Sequence, residues 1–198
     1  MARLDFQPLT PERWGDFERL FRERRGVLPD WENLAGGGCW CMEFRRPPRE
    51  WLAESGEGNR RAMQALVESG EATGILAYED GEAVGWCSIS PRAQCVGLES
   101  REHLRPVDAE PVWSIVCFFV AREARGRGVM RGLLEAALAF ARERSARIVE
   151  AYPVANEPTG DLASGFRGVV PVLERAGFRE VACRFPGEPI LRRRLADG

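Results

Sequence analysis

The chain has 198 residues, which is long enough for one domain with a substantial hydrophobic core. Its 28 basic and 30 acidic residues give a formal charge of −2, so we expect no general attraction to nucleic acid. No apolar run approaches the roughly 20 residues that a membrane-spanning helix needs, and residues 1–5 lack the apolar core of a secretion signal. We therefore predict a cytoplasmic protein that binds neither nucleic acid nor a membrane.

The N-terminal third is predicted to contain one strand and two helices. Residues 4–9 form the strand, and Thr10 then caps a helix that has a proline in its first turn. Apolar side chains at three- and four-residue spacing give this helix one buried face: Trp14, Phe17, Leu20 and Phe21. Residues 45–51 contain two prolines and are predicted as a loop, and Asn59 is predicted to cap a helix that stops at Gly70.

The rest of the chain is predicted to form the core of a mixed α/β domain. Residues 74–89 form two short strands joined at Asp80-Gly81, a dipeptide typical of hairpin turns. Residues 112–120 are almost all apolar, as in a central strand that is covered on both faces. A helix at 129–144, a strand at 146–154, a helix at 169–175 and a hairpin at 178–195 follow. The fold class is therefore α/β of the α+β type, in a single domain spanning 1–198, and not a doubly wound sheet.

The six cysteines are scattered along the chain, and at least two lie in apolar segments with strand character. In a reducing compartment we interpret them as small buried side chains rather than disulfide partners. Cys39 and Cys41 are one residue apart, but they lack a matching Cys/His pair elsewhere. We therefore predict no metal site.

A basic turn with two glycines follows the central strand. The strand ends in Cys117-Phe118-Phe119-Val120, and residues 125–130 then read Arg-Gly-Arg-Gly-Val-Met and open a helix. Such a turn leaves several backbone N–H groups unpaired at the positive end of the helix dipole, and glycine lets a phosphate approach them. Four arginines lie around it: Arg122, Arg125, Arg127 and Arg131. We predict a site for the diphosphate of a cofactor, and a flexible, solvated turn is the alternative.

Two other phosphate-binding patterns do not fit this turn. A dinucleotide site requires a third glycine, which is missing here, and an acidic residue after the next strand. A nucleoside-triphosphate loop requires Gly-Lys-Ser/Thr, which the chain lacks.

The turn resembles that of the GCN5-related N-acetyltransferase (GNAT) superfamily, which reads Arg/Gln-x-x-Gly-x-Gly/Ala. Arg125 and Gly128 match this pattern and Met130 departs from it, although methionine keeps the backbone N–H that would bind a phosphate. The Gly177-Phe178 pair and Asn156 match further features of the family. The chain also looks like a bacterial subgroup with short shared phrases: Gly38–Met42, Gly85–Cys87, Pro91-Arg92, Val112–Ser114, Cys117–Val120 and Glu150–Pro153.

The resemblance implies the GNAT acyl-CoA N-acyltransferase fold. Its mixed central sheet has about six or seven strands with a V-shaped splay between the fourth and fifth, and helices flank it. Residues 1–73 would contribute to the acceptor side, and residues 74–195 would form the core that binds acetyl-CoA. The Phe118 N–H would polarise the thioester carbonyl, and Phe118 and Val120 would pair with the pantetheine arm through their main chains. The residues implied to bind acetyl-CoA are Phe118, Phe119, Val120, Arg125, Gly126, Arg127, Gly128, Val129, Met130, Arg131 and Asn156.

The residues that would move protons are less clear from the sequence. The family often places a tyrosine acid where this chain has Leu173. Tyr152 is the better substitute of the two tyrosines, since Tyr78 lies in the early hairpin. Glu150 is the first choice for the base because it shares a strand face with Tyr152. The alternatives for the base are Glu110 and a chain of water molecules. His103, the single histidine, is interpreted as a surface residue.

The resemblance implies direct transfer of an acetyl group from acetyl-CoA to a primary amine of a small molecule or protein. Trp40 and Met42 either line the acceptor pocket or pack on the core. One alternative is a CoA-binding sensor or regulatory domain that has lost catalysis, and another is an acyltransferase for longer acyl chains. The oligomeric state stays open, although the terminal hairpin could pair between the subunits of a homodimer.

Overall fold

The computed structural model describes residues 3–23, 40–71, 74–154 and 167–195. Asn156 and Cys39, which the sequence singled out, lie outside the described residues. Within the described ranges, no helix is both long enough and apolar enough to cross a membrane.

A seven-stranded sheet forms the centre of the fold. Its strands are β1 (Leu4–Pro8), β2 (Gly74–Glu79), β3 (Glu82–Pro91), β4 (Trp113–Val120), β5 (Ile148–Ala151), β6 (Arg179–Ala182) and β7 (Ile190–Arg194). They lie in the order β1-β2-β3-β4-β5-β7-β6. The β4–β5 pair is parallel and the other neighbouring pairs are antiparallel. The predicted mixed sheet is therefore confirmed.

Five helices flank the sheet in the described ranges. They are α1 (Trp14–Glu23), α2 (Pro48–Ala53), α3 (Ser55–Glu68), α4 (Val129–Glu143) and α5 (Val170–Arg175). Helix α4 runs between β4 and β5 and buries one apolar face: Val129, Leu133, Leu134, Ala137, Leu138, Phe140 and Ala141. This burial is what the apolar spacing of the segment predicts.

Two predictions in the N-terminal third are wrong. Residues 45–51 are not all loop, because α2 begins at Pro48. A proline is favoured at the first position of a helix, where its missing N–H needs no partner. Asn59 does not cap α3 but lies within it, and its buried side chain donates to the Trp51 carbonyl oxygen at 3.1 Å.

Thr10 lies at the predicted N-cap position but makes no capping hydrogen bond. Thr10 precedes a short 3-10 turn at 11–13, yet its side chain makes no capping bond to the backbone. Its hydroxyl instead accepts a bond from Arg13 at 3.3 Å. The hairpin turn is as predicted: Asp80 and Gly81 have φ values of 51° and 89°, the left-handed conformation that a two-residue hairpin loop of this type needs.

The sheet is covered on both faces. One face packs against α4 and α5 in a large apolar core, and the opposite face packs against α1, α3 and Trp40–Met42. A smaller cluster on the second face joins Phe44 to residues from three sheet strands or their ends, Val116, Tyr152 and Ile190. This smaller cluster adjoins the site described next.

Candidate active site

Strands β4 and β5 separate after three residue pairs. Trp113 pairs with Val149, Ser114 with Glu150 and Ile115 with Ala151. There β5 ends, whereas β4 continues to Val120 with β3 as its neighbour on the other side. The main chain of residues 116–120 therefore borders an opening in the sheet, which is the splay that the resemblance implies.

The backbone direction decides which groups of β4 face this opening. The Ala121 N–H donates to the Val84 carbonyl at 2.9 Å, toward β3. Since main-chain groups alternate in direction along a strand, the Phe119 groups also face β3, and those of Phe118 and Val120 face the opening. The Val120 carbonyl accepts a bond from Arg125 Nε at 3.0 Å. Within the described ranges, no strand pairs with this edge of β4 at Phe118 and Val120, the positions that the sequence singled out.

A bulge changes which side chains of β4 reach each face. Cys117 pairs with Ser88 and Ile115 with Ile89, so Val116 has no opposite residue in β3. Ile115 and Phe118 pack toward α4, whereas Val116 joins the Phe44 cluster. Cys117 contacts the apolar group of α1, and its Sγ lies 3.6 Å from Cys41 Sγ. The opening therefore lies between the face of the sheet that packs on α4 and the face that packs on α1 and Phe44.

The turn after β4 presents backbone N–H groups at the start of α4. Gly126 and Gly128 have φ values of 74° and 84°, which side chains rarely adopt, and a Cβ at either would project into open space. The first α4 amide with a backbone acceptor is that of Gly132, which donates to Gly128 at 3.0 Å. In the described part of the chain, no backbone carbonyl accepts from the amides of residues 126–131. The turn therefore has free donors and room for a diphosphate at a helix N-terminus.

The arginines around the turn are differently placed. Arg127 binds Glu79 at 2.9 Å and Arg131 binds Glu135 at 2.8 Å, and both arginine side chains are mostly exposed. The Arg131–Glu135 pair is exposed on both sides and contributes little to stability, so a phosphate can replace the Glu135 carboxylate at low cost. The predicted contact of Arg127 and Arg131 with a phosphate stays a prediction.

Tyr152 and Glu150 meet in a buried polar network. The Tyr152 hydroxyl donates to Glu150 Oε2 at 2.9 Å, lies 2.8 Å from Ser114 Oγ and accepts from Arg92 Nη1 at 2.9 Å. Burial and the neighbouring Glu150 carboxylate raise the pKa of Tyr152 far above its usual value. Tyr152 therefore stays protonated at neutral pH.

Arg192 balances the Glu150 charge. Its Nη2 and Nε lie 2.7 and 3.0 Å from Glu150 Oε1, and its Nη1 binds Asp108 at 2.6 Å. The bond to Asp108, together with Glu150, raises the pKa of Arg192, so the guanidinium remains charged. Removing Arg192 or Glu150 would leave the charge of the other buried and unmatched.

Comparison with known proteins identifies the family. A model of the acetyltransferase (GNAT) family matches residues 30–163, which is more than half of the chain. The chain belongs to the GNAT family. It is therefore an acetyltransferase, and the acetyl-CoA expected from the resemblance is the cosubstrate that fits this family and the turn at 126–131. No curated protein matches the chain.

Solved structures share the fold over nearly the whole chain. The PaiA N-acetyltransferase of Thermoplasma acidophilum, in complex with coenzyme A, is 10% identical with a TM-score of 0.55, covering 98% of this chain and 99% of its own. A Drosophila melanogaster polyamine N-acetyltransferase is 11% identical with a TM-score of 0.56, covering 98% and 100%. A mosquito arylalkylamine N-acetyltransferase like 5b is 10% identical with a TM-score of 0.60, covering 98% and 100%. At these identities the likeness shows the fold alone.

The GNAT tyrosine position is apolar in this chain. Leu173 is buried in α5, and a Cβ placed at Gly168 would lie 3.2 Å from Leu173 Cδ1 and 3.5 Å from Phe118 Cε2. Leu173 therefore borders the Phe118 side chain without offering a proton.

The other candidates for moving protons bind other partners, outside the Tyr152–Glu150 network. Tyr78 donates to Asp16 of α1 at 2.9 Å. Glu110 binds Arg194 at 2.8 Å near the first residue of β4, at the closed end of the β4–β5 pair. His103 is a quarter exposed and binds Glu188 at 3.1 Å beside the β6–β7 hairpin. The structure brings together Tyr152 and Glu150, and not these three.

Two residues of the network were not assigned a role from the sequence. Arg92 and Ser114 lie in the phrases Pro91-Arg92 and Val112–Ser114, but nothing local shows that both reach Tyr152.

Trp40 and Met42 are buried against α1, where Trp40 stacks on Phe21 at 5.8 Å between ring centroids. Packing on the core is therefore the role that the structure supports for these two side chains.

Proposed function

We propose that the chain is an acetyl-CoA-dependent N-acetyltransferase that transfers the acetyl group directly to a primary amine, in the cytoplasm. The observation that carries the proposal is the open edge of β4, which leads within a few residues into the free amides at 126–131. A strand edge that is followed along the chain by an anion-binding turn suits a ligand that has an extended arm and a diphosphate. The amine-acetylating activities named for the structural relatives support an amine acceptor.

In this proposal the main chain does most of the binding. The Phe118 N–H donates to the carbonyl oxygen of the acyl group, where negative charge develops as the amine attacks. The Val120 groups pair with the extended arm once Arg125 releases the Val120 carbonyl. The amides from Gly126 to Arg131 hold the diphosphate. When bound, acetyl-CoA supplies the acetyl group as an activated thioester.

Proton handling is proposed for the Tyr152–Glu150 pair. Tyr152 holds a proton at neutral pH and can donate it, while the Glu150 carboxylate is balanced by the positive charges of Arg192 and Arg92 on either side. Donation to the departing CoA thiolate requires Tyr152 to break its bond to Glu150, and Ser114 and Arg92 then keep the ring oriented. The Glu150 carboxylate accepts the proton that the attacking amine loses and returns it to Tyr152, so the pair regains its starting charge. Residues 1–73 are proposed to form part of the acceptor side.

One observation favours a second function, a CoA-binding domain that has lost efficient transfer. Leu173 places an apolar side chain where many relatives have a tyrosine, and the Tyr152 proton is already bound by Glu150. A domain that binds CoA without efficient transfer would have this arrangement. Both functions require the same binding turn.

Calorimetry and a thiol-release assay separate these possibilities. The proposed enzyme binds acetyl-CoA and releases free thiol when a panel of primary amines is added, whereas a sensor binds without release. Gly128→Glu should abolish binding because it places a carboxylate among the phosphate-binding amides. Gly70→Glu is a matched control: Gly70 also has a positive φ, 76°, and open space at its Cβ, but it lies at the end of α3. Equal affinity in the two variants would overturn the proposed turn.

A further inference from the structure

Two arginines lie over the ring of Phe44. The Arg101 guanidinium carbon is 4.2 Å from the ring centroid and that of Arg167 is 5.9 Å away. Each guanidinium is held by one carboxylate, Arg101 by Glu43 at 2.6 Å and Arg167 by Glu188 at 2.6 Å. Two guanidinium groups are thus held beside one aromatic ring.

Several N–H groups of these arginines are buried without an acceptor. Arg101 Nη1 and Arg167 Nε and Nη2 have no hydrogen-bond partner within the described residues. Buried donors are almost always bonded, and guanidinium donors bind best to a charged oxygen. Each side chain uses one terminal nitrogen for its glutamate and keeps the rest of its fork available. These N–H groups therefore favour an oxygen-rich anion as a ligand.

This pair lies at the end of the sheet opening where an acceptor would approach. Phe44 packs with Val116, the first β4 residue past the last β4–β5 pair, and with Tyr152, the residue after β5. The phosphate-binding turn lies beyond Val120, ~13 Å along the strand from Val116 at 3.3 Å per residue. The two arginines therefore cannot be part of the diphosphate site, and they border the reacting centre from the other side.

The Phe44 segment is held closely enough to form a defined site. The Gly97 N–H donates to the Phe44 carbonyl at 2.8 Å. A Cβ at Gly97 would meet the backbone of residues 43–46, with 2.9 Å to the Glu43 oxygen and 3.0 Å to Phe44 Cα. Only glycine permits this approach without displacing the segment.

We propose that the acceptor is an amine that also carries a carboxylate, and that Arg101 and Arg167 bind this carboxylate through the N–H groups that have no acceptor within the described residues. The inference rests on the proposed function. A planar carboxylate matches the guanidinium fork in both geometry and charge, and the Phe44 ring holds the guanidinium groups that would bind it. A second ammonium group is disfavoured, since Glu43 and Glu188 already bind arginine and His103 also contacts Glu188. Arg101 and Arg167 are therefore specificity-determining residues.

Matched pairs of amines test the inference in the wild-type protein. Each pair differs only in the carboxylate: arginine with agmatine, lysine with cadaverine, phenylalanine with phenethylamine. We expect kcat/KM to be about tenfold or more higher for the member with the carboxylate, mainly through KM, because its absence leaves the buried donors unpaired. Equal or faster turnover of the decarboxylated members would overturn the inference. So would a preference for phosphoethanolamine over the amino acids, which would indicate a tetrahedral anion.

Substitutions of the two arginines test whether they cause the preference for a carboxylate. Arg101→Gln and Arg167→Gln should each reduce the preference for the carboxylate and leave the affinity for coenzyme A unchanged. Arg19→Gln, which removes an exposed arginine of α1 paired with Asp16, is the matched control and should keep the preference. A preference that survives in both site variants would contradict the assignment.

A binding measurement avoids dependence on turnover. With coenzyme A bound, calorimetry should detect N-acetylphenylalanine and not N-acetylphenethylamine. Failure of acetyl-CoA itself to bind would refute the proposed function, whereas binding of both acetylated compounds with equal affinity would refute only the carboxylate site.

Discussion

The Tyr152 hydroxyl donates a hydrogen bond to Glu150 Oε2 at 2.9 Å, and both side chains are only 1% exposed. Residues two apart on a strand share a face, so this contact follows from the end of β5. Because Arg192 and Arg92 lie on either side of Glu150, the tyrosine and the carboxylate belong to one charge-balanced unit. A change in one member should therefore affect the hydrogen bonds of the other.

Replacing Tyr152 by phenylalanine should affect both stability and catalysis. The change leaves buried partners at Arg92, Ser114 and Glu150 without the hydroxyl, which should lower the free energy of unfolding by about 1–3 kcal/mol. If Tyr152 donates the proton, kcat falls as well. Tyr78→Phe is the control, since it also removes one hydroxyl bond to a carboxylate, that of Asp16, but far from the opening. Urea unfolding and steady-state kinetics measure the two effects, and equal kcat in both variants would show a structural role only.

Stability should decrease at alkaline pH. Burial raises the pKa of Cys87, and burial with a neighbouring carboxylate raises the pKa of Tyr78 and Tyr152. The folded protein keeps these protons while the unfolded chain releases them near pH 8.5 for cysteine and about 10 for tyrosine. Their contribution is complete below those values and is lost as pH rises, by up to about 1.4 kcal/mol per pH unit and group.

The composition makes this dependence easy to assign. All 28 basic residues are arginine, so no lysine titrates in the same range. Urea unfolding between pH 8 and pH 11 measures the slope, and Tyr78→Phe should reduce it only above about pH 10. A free energy of unfolding that stays constant over this range would contradict the expectation.

Leu173→Tyr should partly restore activity lost in Tyr152→Phe. A tyrosine at this position in α5 would place a hydroxyl near the Phe118 side chain, at the position where the resemblance to the family implies a tyrosine acid. The Leu173 side chain already lies close to Gly168, so the larger ring should cost about 1–3 kcal/mol of stability. Leu173→Phe in the same background has almost the same volume and no hydroxyl. Recovery of kcat with tyrosine and not with phenylalanine is the expected result, and equal kcat in the two double variants would exclude this role.

Gly97→Ala should weaken the acceptor site through the Phe44 segment. A Cβ at Gly97 would lie 2.6 Å from the Arg46 carbonyl oxygen, so the segment must move. We expect a loss of about 1–3 kcal/mol in the free energy of unfolding and a higher KM for the amine. Gly15→Ala is the control, because a Cβ there meets nothing within 4 Å and alanine favours the helix. Thermal unfolding and steady-state kinetics measure the two effects. Equal stability and equal KM for the amine in the two variants would contradict the expectation.

Much of the fold could be predicted because its signals are local. The Asp80-Gly81 turn needs two residues in the left-handed region, and these two residue types accept it. The apolar face of α4 and the two glycines of the turn at 126–131, the proposed phosphate site, also depend on neighbours within a few positions. Where a local signal was ambiguous, as with the prolines at 47–48 and with Asn59, the prediction was wrong.

The candidate site depends on contacts between distant parts of the chain. Arg92 meets Tyr152 across 60 positions, and Arg192 meets Glu150 across 42. The sequence by itself determined the strand, turn and helix that present free amides, because backbone conformation follows from adjacent residues. Only the tertiary structure decided which arginines reach the buried carboxylates and Phe44, because burial and charge pairing depend on how the strands and loops pack together.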